Sequence, residues 1–128
     1  MGIQDYLYNE FDSSIIEEFL MMMDIMEDTL DMAIERLNTE YEDAINDLFR
    51  MFHNLKSATG FLKIKRMHNF AHFVEDILDK AREKKEADDK LINWLYKVAD
   101  QLHEWYGNID RNEELAPLHP DIFKVPKL

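Results

Sequence analysis

A long stretch without proline is the feature that most constrains how this 128-residue chain can fold. No proline lies between Ser13 and Tyr106, and the only prolines are Pro117, Pro120 and Pro126. Proline inside a helix removes a backbone hydrogen bond and clashes with the preceding turn, so its absence permits long helices. Through the same stretch, apolar residues recur every three or four positions, which is the period of an amphipathic helix. The stretch therefore predicts a series of helices and an all-α fold.

Four separate apolar stripes mark four predicted helices. The first begins near Ser14, which forms a capping-box pattern with Glu17, and the second begins within residues 40–43. The fourth begins at Asp88 or its neighbour, both good N-cap residues, and Gly107 is predicted to stop it. The third stripe lies between the second and the fourth. The apolar positions are Ile16, Phe19, Met23, Met26, Leu30, Ala33 and Leu37; Tyr41, Ile45, Leu48, Phe52, Leu55 and Leu62; Met67, Phe70, Val74, Ile77 and Ala81; and Leu91, Leu95, Val98, Leu102 and Trp105.

The connections between these stripes are short, which favours antiparallel neighbours. We therefore expect an antiparallel up-down-up-down four-helix bundle over residues 1–108. Residues 109–128 contain the three prolines and no helical period, so we expect an irregular C-terminal tail there. The tail fits a linker, a strap along the bundle or a docking segment for a partner, and the sequence does not choose among them. Nor does it decide whether the chain is free-standing or part of a larger kinase.

Charge and composition exclude several classes of function. The net charge is −12, which repels a phosphate backbone and argues against nucleic-acid binding. No apolar run is long enough to cross a membrane, and the N-terminus has no basic region typical of a secretory signal. There is no cysteine, hence no disulfide framework or thiolate metal site. Together these features lead us to expect a cytoplasmic protein.

The charge is also unevenly distributed along the chain. Residues 1–49 contain fourteen acidic residues and one basic residue, Arg36, whereas basic residues outnumber acidic ones between Arg50 and Lys85. Solvated helix faces would explain this pattern. A middle region that meets an acidic partner would explain it too.

The segment around His53 carries the most chemical information. His53 follows the apolar position Phe52, so it lies at the edge of the apolar stripe and should be exposed. Lys56, one turn later, and Gly60, two turns later, share a side of the helix with it, and Ser57 is also one turn away. A neutral imidazole is a good nucleophile, and a neighbouring ammonium would stabilise the charge of an arriving phosphoryl group. By spacing alone, however, a surface histidine beside a surface lysine is the more common explanation of such a motif.

The third predicted helix adds His68, His72 and Glu75. If this helix lies antiparallel to the second, Glu75 can accept a hydrogen bond from one imidazole nitrogen of His53, fix the tautomer and leave the other nitrogen free. The same three residues share one helix face and, with His53, also fit a metal site. A di-iron bundle needs Glu-x-x-His on two helices and further glutamates, and only one helix here has such a cluster.

With these two motifs, the chain resembles histidine phosphotransfer domains, most closely the N-terminal phosphotransfer domain of chemotaxis histidine kinases of the CheA type. The resemblance rests on His-Asn-Leu-Lys-Ser-Ala-Thr-Gly at 53–60 and Ala-His-Phe-Val-Glu-Asp-Ile-Leu-Asp-Lys-Ala-Arg at 71–82, and it extends over roughly residues 11–107. It implies that His53 accepts the phosphoryl group through Nε2 and that Glu75 holds Nδ1. Lys56 would assist the phosphoryl group, and His72 would belong to the surrounding hydrogen-bond network. Ser57 and Gly60 would keep the docking surface small.

The resemblance also implies which partners the chain would have, although the sequence departs from the family pattern at two positions. The expected partners are a response-regulator receiver domain and a histidine kinase catalytic domain, and the Mg²⁺ would come with those partners, so no cofactor or metal is expected here. Many members have glycine where this chain has Ser57 and Lys63. The basic rim formed by Lys63, Lys65 and Arg66 fits the acidic pocket of a receiver.

Two other functions stay open at this point. One is a metal-binding helical bundle that uses His68, His72 and Glu75, and the other is a docking module that is never phosphorylated. The chain has no glycine-rich nucleotide loop and no αβ pattern typical of a kinase. We therefore expect a carrier without catalytic activity of its own.

Overall fold

The chain is all-helical in a computed structural model that describes residues 2–128. Its five α-helices are α1 (Ile3–Glu10), α2 (Ser13–Glu35), α3 (Tyr41–Phe61), α4 (Lys65–Ala81) and α5 (Asp89–Asp110). Short 3₁₀ turns cover Arg36–Asn38 and Pro120–Phe123. None of the helices in the described part is long and apolar enough to cross a membrane.

Helices α2 to α5 correspond to the four predicted stripes. The apolar residues of each stripe form the face that the helix buries. Asp88 caps α5 as predicted, with its side chain accepting a hydrogen bond of 2.7 Å from the Lys90 backbone N–H. The predicted capping box at Ser14 is wrong, since α2 begins one residue earlier, after Asp12.

The predicted stop at Gly107 is also wrong. Gly107 keeps a negative φ, so it does not adopt the left-handed conformation with which glycine ends helices. The helix continues to Asp110, and Ile109, in that last turn, is almost fully buried. Burial of one further apolar residue thus extends α5 past its glycine.

Helix α1 is an element that the sequence did not predict. It has eight residues and buries Leu7 completely, and it packs against α2 and α5. A helix this short is not stable by itself in water, so its existence depends on that packing.

Helix α3 packs mainly against α4, and α2 packs against both α3 and α5. Aromatic side chains fill the space between α4 and α5, where the Phe70 and Trp105 rings meet edge to face with centroids 4.9 Å apart. The close pairing of α3 with α4 is the part of the fold that assembles the candidate site.

The segment after α5 lies against the helices. The indole N–H of Trp94 donates to the carbonyl of Ile122 at 2.9 Å, and that of Trp105 donates to the carbonyl of Ala116 at 2.8 Å. Ile122 is 1% exposed. The division into a bundle of residues 1–108 and a tail of 109–128 stays a prediction.

Candidate functional site

The candidate site lies where α3 and α4 pack side by side. His53 and Lys56 are one turn apart on α3, and Glu75 faces both of them from α4. The His53 side chain is 52% exposed, whereas the Glu75 side chain is only 9% exposed. An exposed imidazole is therefore anchored to a buried carboxylate.

Glu75 accepts hydrogen bonds at both of its oxygens. His53 Nδ1 lies 2.6 Å from Oε2, and Lys56 Nζ lies 2.7 Å from Oε1. Burial raises the pKa of Glu75, but the hydrogen bonds from Lys56 and His53 outweigh burial and lower the pKa below its ordinary value. Glu75 is therefore a carboxylate at neutral pH, and its two partners satisfy a charge that would otherwise be expensive to bury.

This geometry determines which nitrogen of His53 is available. A carboxylate can only accept hydrogen bonds, so the Nδ1 of His53 carries the proton and donates it. In the neutral ring Nε2 then holds a free lone pair. Because Nδ1 contacts buried Glu75, Nε2 is the nitrogen that remains free to act as a nucleophile.

Lys56 contributes both its side chain and its backbone. Its ammonium is held by Glu75 next to the imidazole, and its side chain is 24% exposed. The carbonyl of Lys56 accepts a hydrogen bond of 2.9 Å from Nδ1 of His68. His68 thus links α4 to the turn that contains Lys56, a contact that the sequence did not predict.

Gly60 and Ser57, expected as small docking residues, lie in different surroundings. A Cβ added at Gly60 would come within 3.0 Å of the His68 ring, so the absence of a side chain there lets His68 pack against α3. Ser57 lines a groove of about 550 Å³ between α2 and α3, together with mostly apolar side chains.

His72 is not part of the hydrogen-bond network that was expected around His53. Its Nε2 lies 3.5 Å from Asp76, four residues later on α4, and the residues described show no hydrogen bond from it to His53, Lys56 or Glu75. Its side chain is 57% exposed. It lies beside the site on the same helix.

The metal set named from the sequence is not assembled. Within residues 2–128, the ligand atoms that come close together belong to His72, Glu75 and Asp76, all within 4.8 Å of one another. His68 is absent from this group because it lies two turns before Glu75, about 10 Å along the helix axis. Both oxygens of Glu75 are also already engaged.

The basic rim divides into two parts. Lys63 and Lys65 are exposed at the end of α3 and the start of α4. Arg66, although exposed, donates hydrogen bonds to the carbonyls of Leu115 and Ala116 at 2.6 and 3.2 Å. Arg66 therefore holds the C-terminal segment, and the two lysines provide the free cations of the rim.

Comparisons with known proteins show which family the chain matches. A family model described as "Hpt domain" matches residues 21–112. The chain is 30% identical over 102 residues to chemotaxis protein CheA of Cereibacter sphaeroides, a match that covers 78% of this chain and 15% of the relative. It is 30% identical over 105 residues to CheA of Borreliella burgdorferi, covering 81% and 12% of the two chains.

A third relative is sensor histidine kinase CheAY of Helicobacter pylori, which is 34% identical over 70 residues, covering 53% of this chain and 9% of the relative. The chain therefore spans 15% or less of the length of these curated relatives. No solved structure was found to match the chain.

Proposed function

The chain belongs to the Hpt domain family, and from that premise we propose that it is a phosphorelay carrier whose phosphoacceptor is His53. Hpt domains are phosphotransfer modules of two-component signalling. The observation that supports His53 is its Nδ1 contact of 2.6 Å with the buried carboxylate of Glu75, which leaves Nε2 as the nucleophile.

The proposed chemistry is a reversible transfer. The lone pair of Nε2 attacks the phosphorus atom, the bond between phosphorus and the donor oxygen breaks, and the donor keeps that electron pair. The Nδ1 proton stays in place because Glu75 holds it, and the ammonium of Lys56 adds positive charge beside the incoming group. In the second step an aspartate oxygen of a receiver attacks phosphorus, and the electrons of the N–P bond return to Nε2.

The proposed partners follow from this chemistry. A histidine kinase catalytic domain or a receiver aspartate donates the phosphoryl group, and a response-regulator receiver domain accepts it, in a chemotaxis pathway. We expect the partners to supply Mg²⁺ and nucleotide, and we expect the carrier to be cytoplasmic. We also propose that α2 to α5 form an up-down-up-down bundle, which the short connections at 36–40, 62–64 and 82–88 support.

The direct test uses phosphoramidate as a small donor and intact mass as the readout. Wild type is expected to gain one phosphoryl group that is labile in acid and stable in base, and His53→Gln is expected to gain none. Equal labelling of the two proteins would refute His53 as the acceptor. A folded wild type that gains no label either from phosphoramidate or from a histidine kinase catalytic domain with Mg²⁺ and ATP would favour the docking module.

A further inference from the structure

We propose that the ring of Phe49, held by Arg82 just after the end of α4, fixes the plane of the His53 imidazole. The two aromatic rings lie one turn apart on α3, with centroids 6.1 Å apart and planes inclined by 17°. The inference rests on the proposed function, because it concerns how the acceptor imidazole is oriented for phosphoryl transfer.

The hydrogen bond to Glu75 leaves one freedom of the ring unrestrained. It holds Nδ1 2.6 Å from Oε2 of Glu75, but the imidazole turns about two side-chain bonds, Cα–Cβ and Cβ–Cγ, and one distance does not fix both. The His53 side chain is 52% exposed, so solvent on that side does not stop the remaining rotation. Phe49 restrains it, because an offset-stacked pair of rings is favoured only while the two planes stay nearly parallel, as they do here at 17°.

The contact leaves the reacting nitrogen accessible. The lone pair of Nε2 lies in the plane of the ring, whereas Phe49 stacks along the ring face. A phosphoryl donor that approaches in the plane therefore meets Nε2 without displacing Phe49. Glu75 and Phe49 together fix the direction of the Nε2 lone pair, and correct alignment is a large part of what speeds such a transfer.

Arg82 restrains Phe49 in turn. The guanidinium carbon lies 4.4 Å from the centroid of the Phe49 ring, which is a cation–π contact. The Nε of Arg82 donates a hydrogen bond of 3.0 Å to the side-chain oxygen of Asn46, one turn before Phe49 on α3. Arg82 thus attaches the end of α4 to the part of α3 that carries Phe49.

The experiment measures the initial rate of phosphorylation by phosphoramidate, which needs no partner docking. Phe49→Leu is expected to react about two- to tenfold more slowly than wild type, the change that one lost aromatic contact produces. Phe49→Tyr keeps the ring and should react at nearly the wild-type rate. Phe123→Leu is the matched control, because Phe123 also packs against an aromatic ring, Phe73, but lies in the C-terminal segment.

A second readout reports orientation directly. In wild type, nuclear Overhauser effects should connect the ring protons of Phe49 and His53, and Phe49→Tyr should retain them. The rotamer-sensitive couplings of His53 should become averaged in Phe49→Leu. Arg82→Gln changes an exposed side chain and is expected to slow labelling about twofold, as for a weak cation–π contact.

The outcomes separate the two proposals. If wild-type His53 is labelled and Phe49→Leu reacts at the wild-type rate, the role of Phe49 is refuted and the carrier function stands. If His53 is labelled neither by phosphoramidate nor by a histidine kinase catalytic domain with Mg²⁺ and ATP, the carrier function itself is refuted. Should Phe49→Leu fail to fold, an unchanged rate in Arg82→Gln or the absence of the wild-type Overhauser effects would overturn the inference.

Discussion

At the scale of single residues, Glu75 determines what His53 and Lys56 can do. Its two oxygens accept hydrogen bonds from the imidazole at 2.6 Å and from the ammonium at 2.7 Å, so one buried carboxylate orients a nucleophile and a cation together. Removing the carboxylate changes the tautomer preference of His53 and releases Lys56 at the same time.

We therefore expect Glu75→Ala to lower the rate of His53 phosphorylation by phosphoramidate roughly ten- to hundredfold, the effect of losing a hydrogen bond to a charged group. Glu75→Gln should fall between Ala and wild type, since its amide oxygen can still accept from Nδ1. Circular dichroism should show that both variants remain helical. Identical rates in all three proteins would contradict the assigned role of Glu75.

The sequence could reveal His53, Lys56 and Glu75 because helical spacing and a family motif fix them. It could not reveal the role of His68, whose hydrogen bond goes to the carbonyl of Lys56, and a backbone acceptor has no residue signature. The helical spacing between Phe49 and His53 was available, but it could equally have indicated two core positions. Only the orientation of the rings distinguishes the two.

At the scale of elements, the end of α3 contains a strained residue. The N–H of Ile64 bonds to the carbonyl of Thr59 at 2.9 Å, and that of Lys63 bonds to the carbonyl of Gly60 at 3.2 Å, which is the Schellman pattern. The motif places Lys63 in the left-handed region, with φ of 56°. Glycine usually occupies this position, because a side chain there costs about 1–2 kcal/mol.

Lys63→Gly should therefore raise the free energy of unfolding by about 0.5–1 kcal/mol, since the greater freedom of glycine in the unfolded chain offsets part of the relieved strain. We expect the melting temperature to rise by about 2–4 °C. Lys63→Ala is the matched control, because it removes the same charge but keeps a Cβ, and it should give no such gain. Equal melting temperatures for the Gly and Ala variants would contradict the strain.

A second element-scale feature joins α2 to α5 through His103. Its Nδ1 lies 2.6 Å from Glu27, and its Nε2 lies 3.3 Å from Asp31. Burial lowers the pKa of His103, but hydrogen bonds to Glu27 and Asp31 outweigh burial and raise the pKa above its ordinary value. The folded protein therefore holds the imidazolium more strongly than the unfolded chain does.

A raised pKa in the folded state stabilises the fold below the unfolded value of about 6.5 and loses this effect as the pH rises through the folded pKa. Urea unfolding at several pH values should thus give wild type a higher free energy of unfolding than His103→Gln at acidic pH. This difference should disappear in alkaline solution. Glu27→Gln should diminish the same pH dependence. A constant difference between wild type and His103→Gln across this range would contradict the assignment.

At the scale of the whole molecule, Lys63 and Lys65 are exposed cations on a protein whose net charge is −12. Because Arg66 holds the C-terminal segment, a test of the rim must leave it in place. The double change Lys63→Glu and Lys65→Glu should weaken binding to a chemotaxis receiver domain, most strongly at low salt. Lys84→Glu with Lys85→Glu, beyond the other end of α4, changes the net charge equally and should weaken binding less. Equal losses would show that only net charge matters.

The sequence could predict the four long helices because each one carries its own periodic pattern, whereas α1 and the C-terminal segment depend on distant contacts. The segment is held by hydrogen bonds from the indoles of Trp94 and Trp105 to its backbone carbonyls. Both indoles lie on α5 and are buried in the core, and burial alone does not show where an indole N–H donates. A pattern read along the chain cannot show which carbonyl a distant N–H will reach.

The packing of this segment leads to the last prediction, which compares two neighbouring residues. Ile122 is 1% exposed, whereas Phe123 is 62% exposed. Ile122→Ala should lower the free energy of unfolding by about 2–5 kcal/mol, as expected when a buried aliphatic side chain is truncated. Phe123→Ala removes more atoms but should lower it by less than about 1 kcal/mol, because most of that ring is already in water. Urea unfolding followed by tryptophan fluorescence measures both, since Trp94 contacts this segment directly.

Similar small losses in the two variants would mean that the segment does not pack against the helices in solution. A large loss confined to Ile122→Ala would mean that residues beyond α5 stabilise the same fold that positions His53.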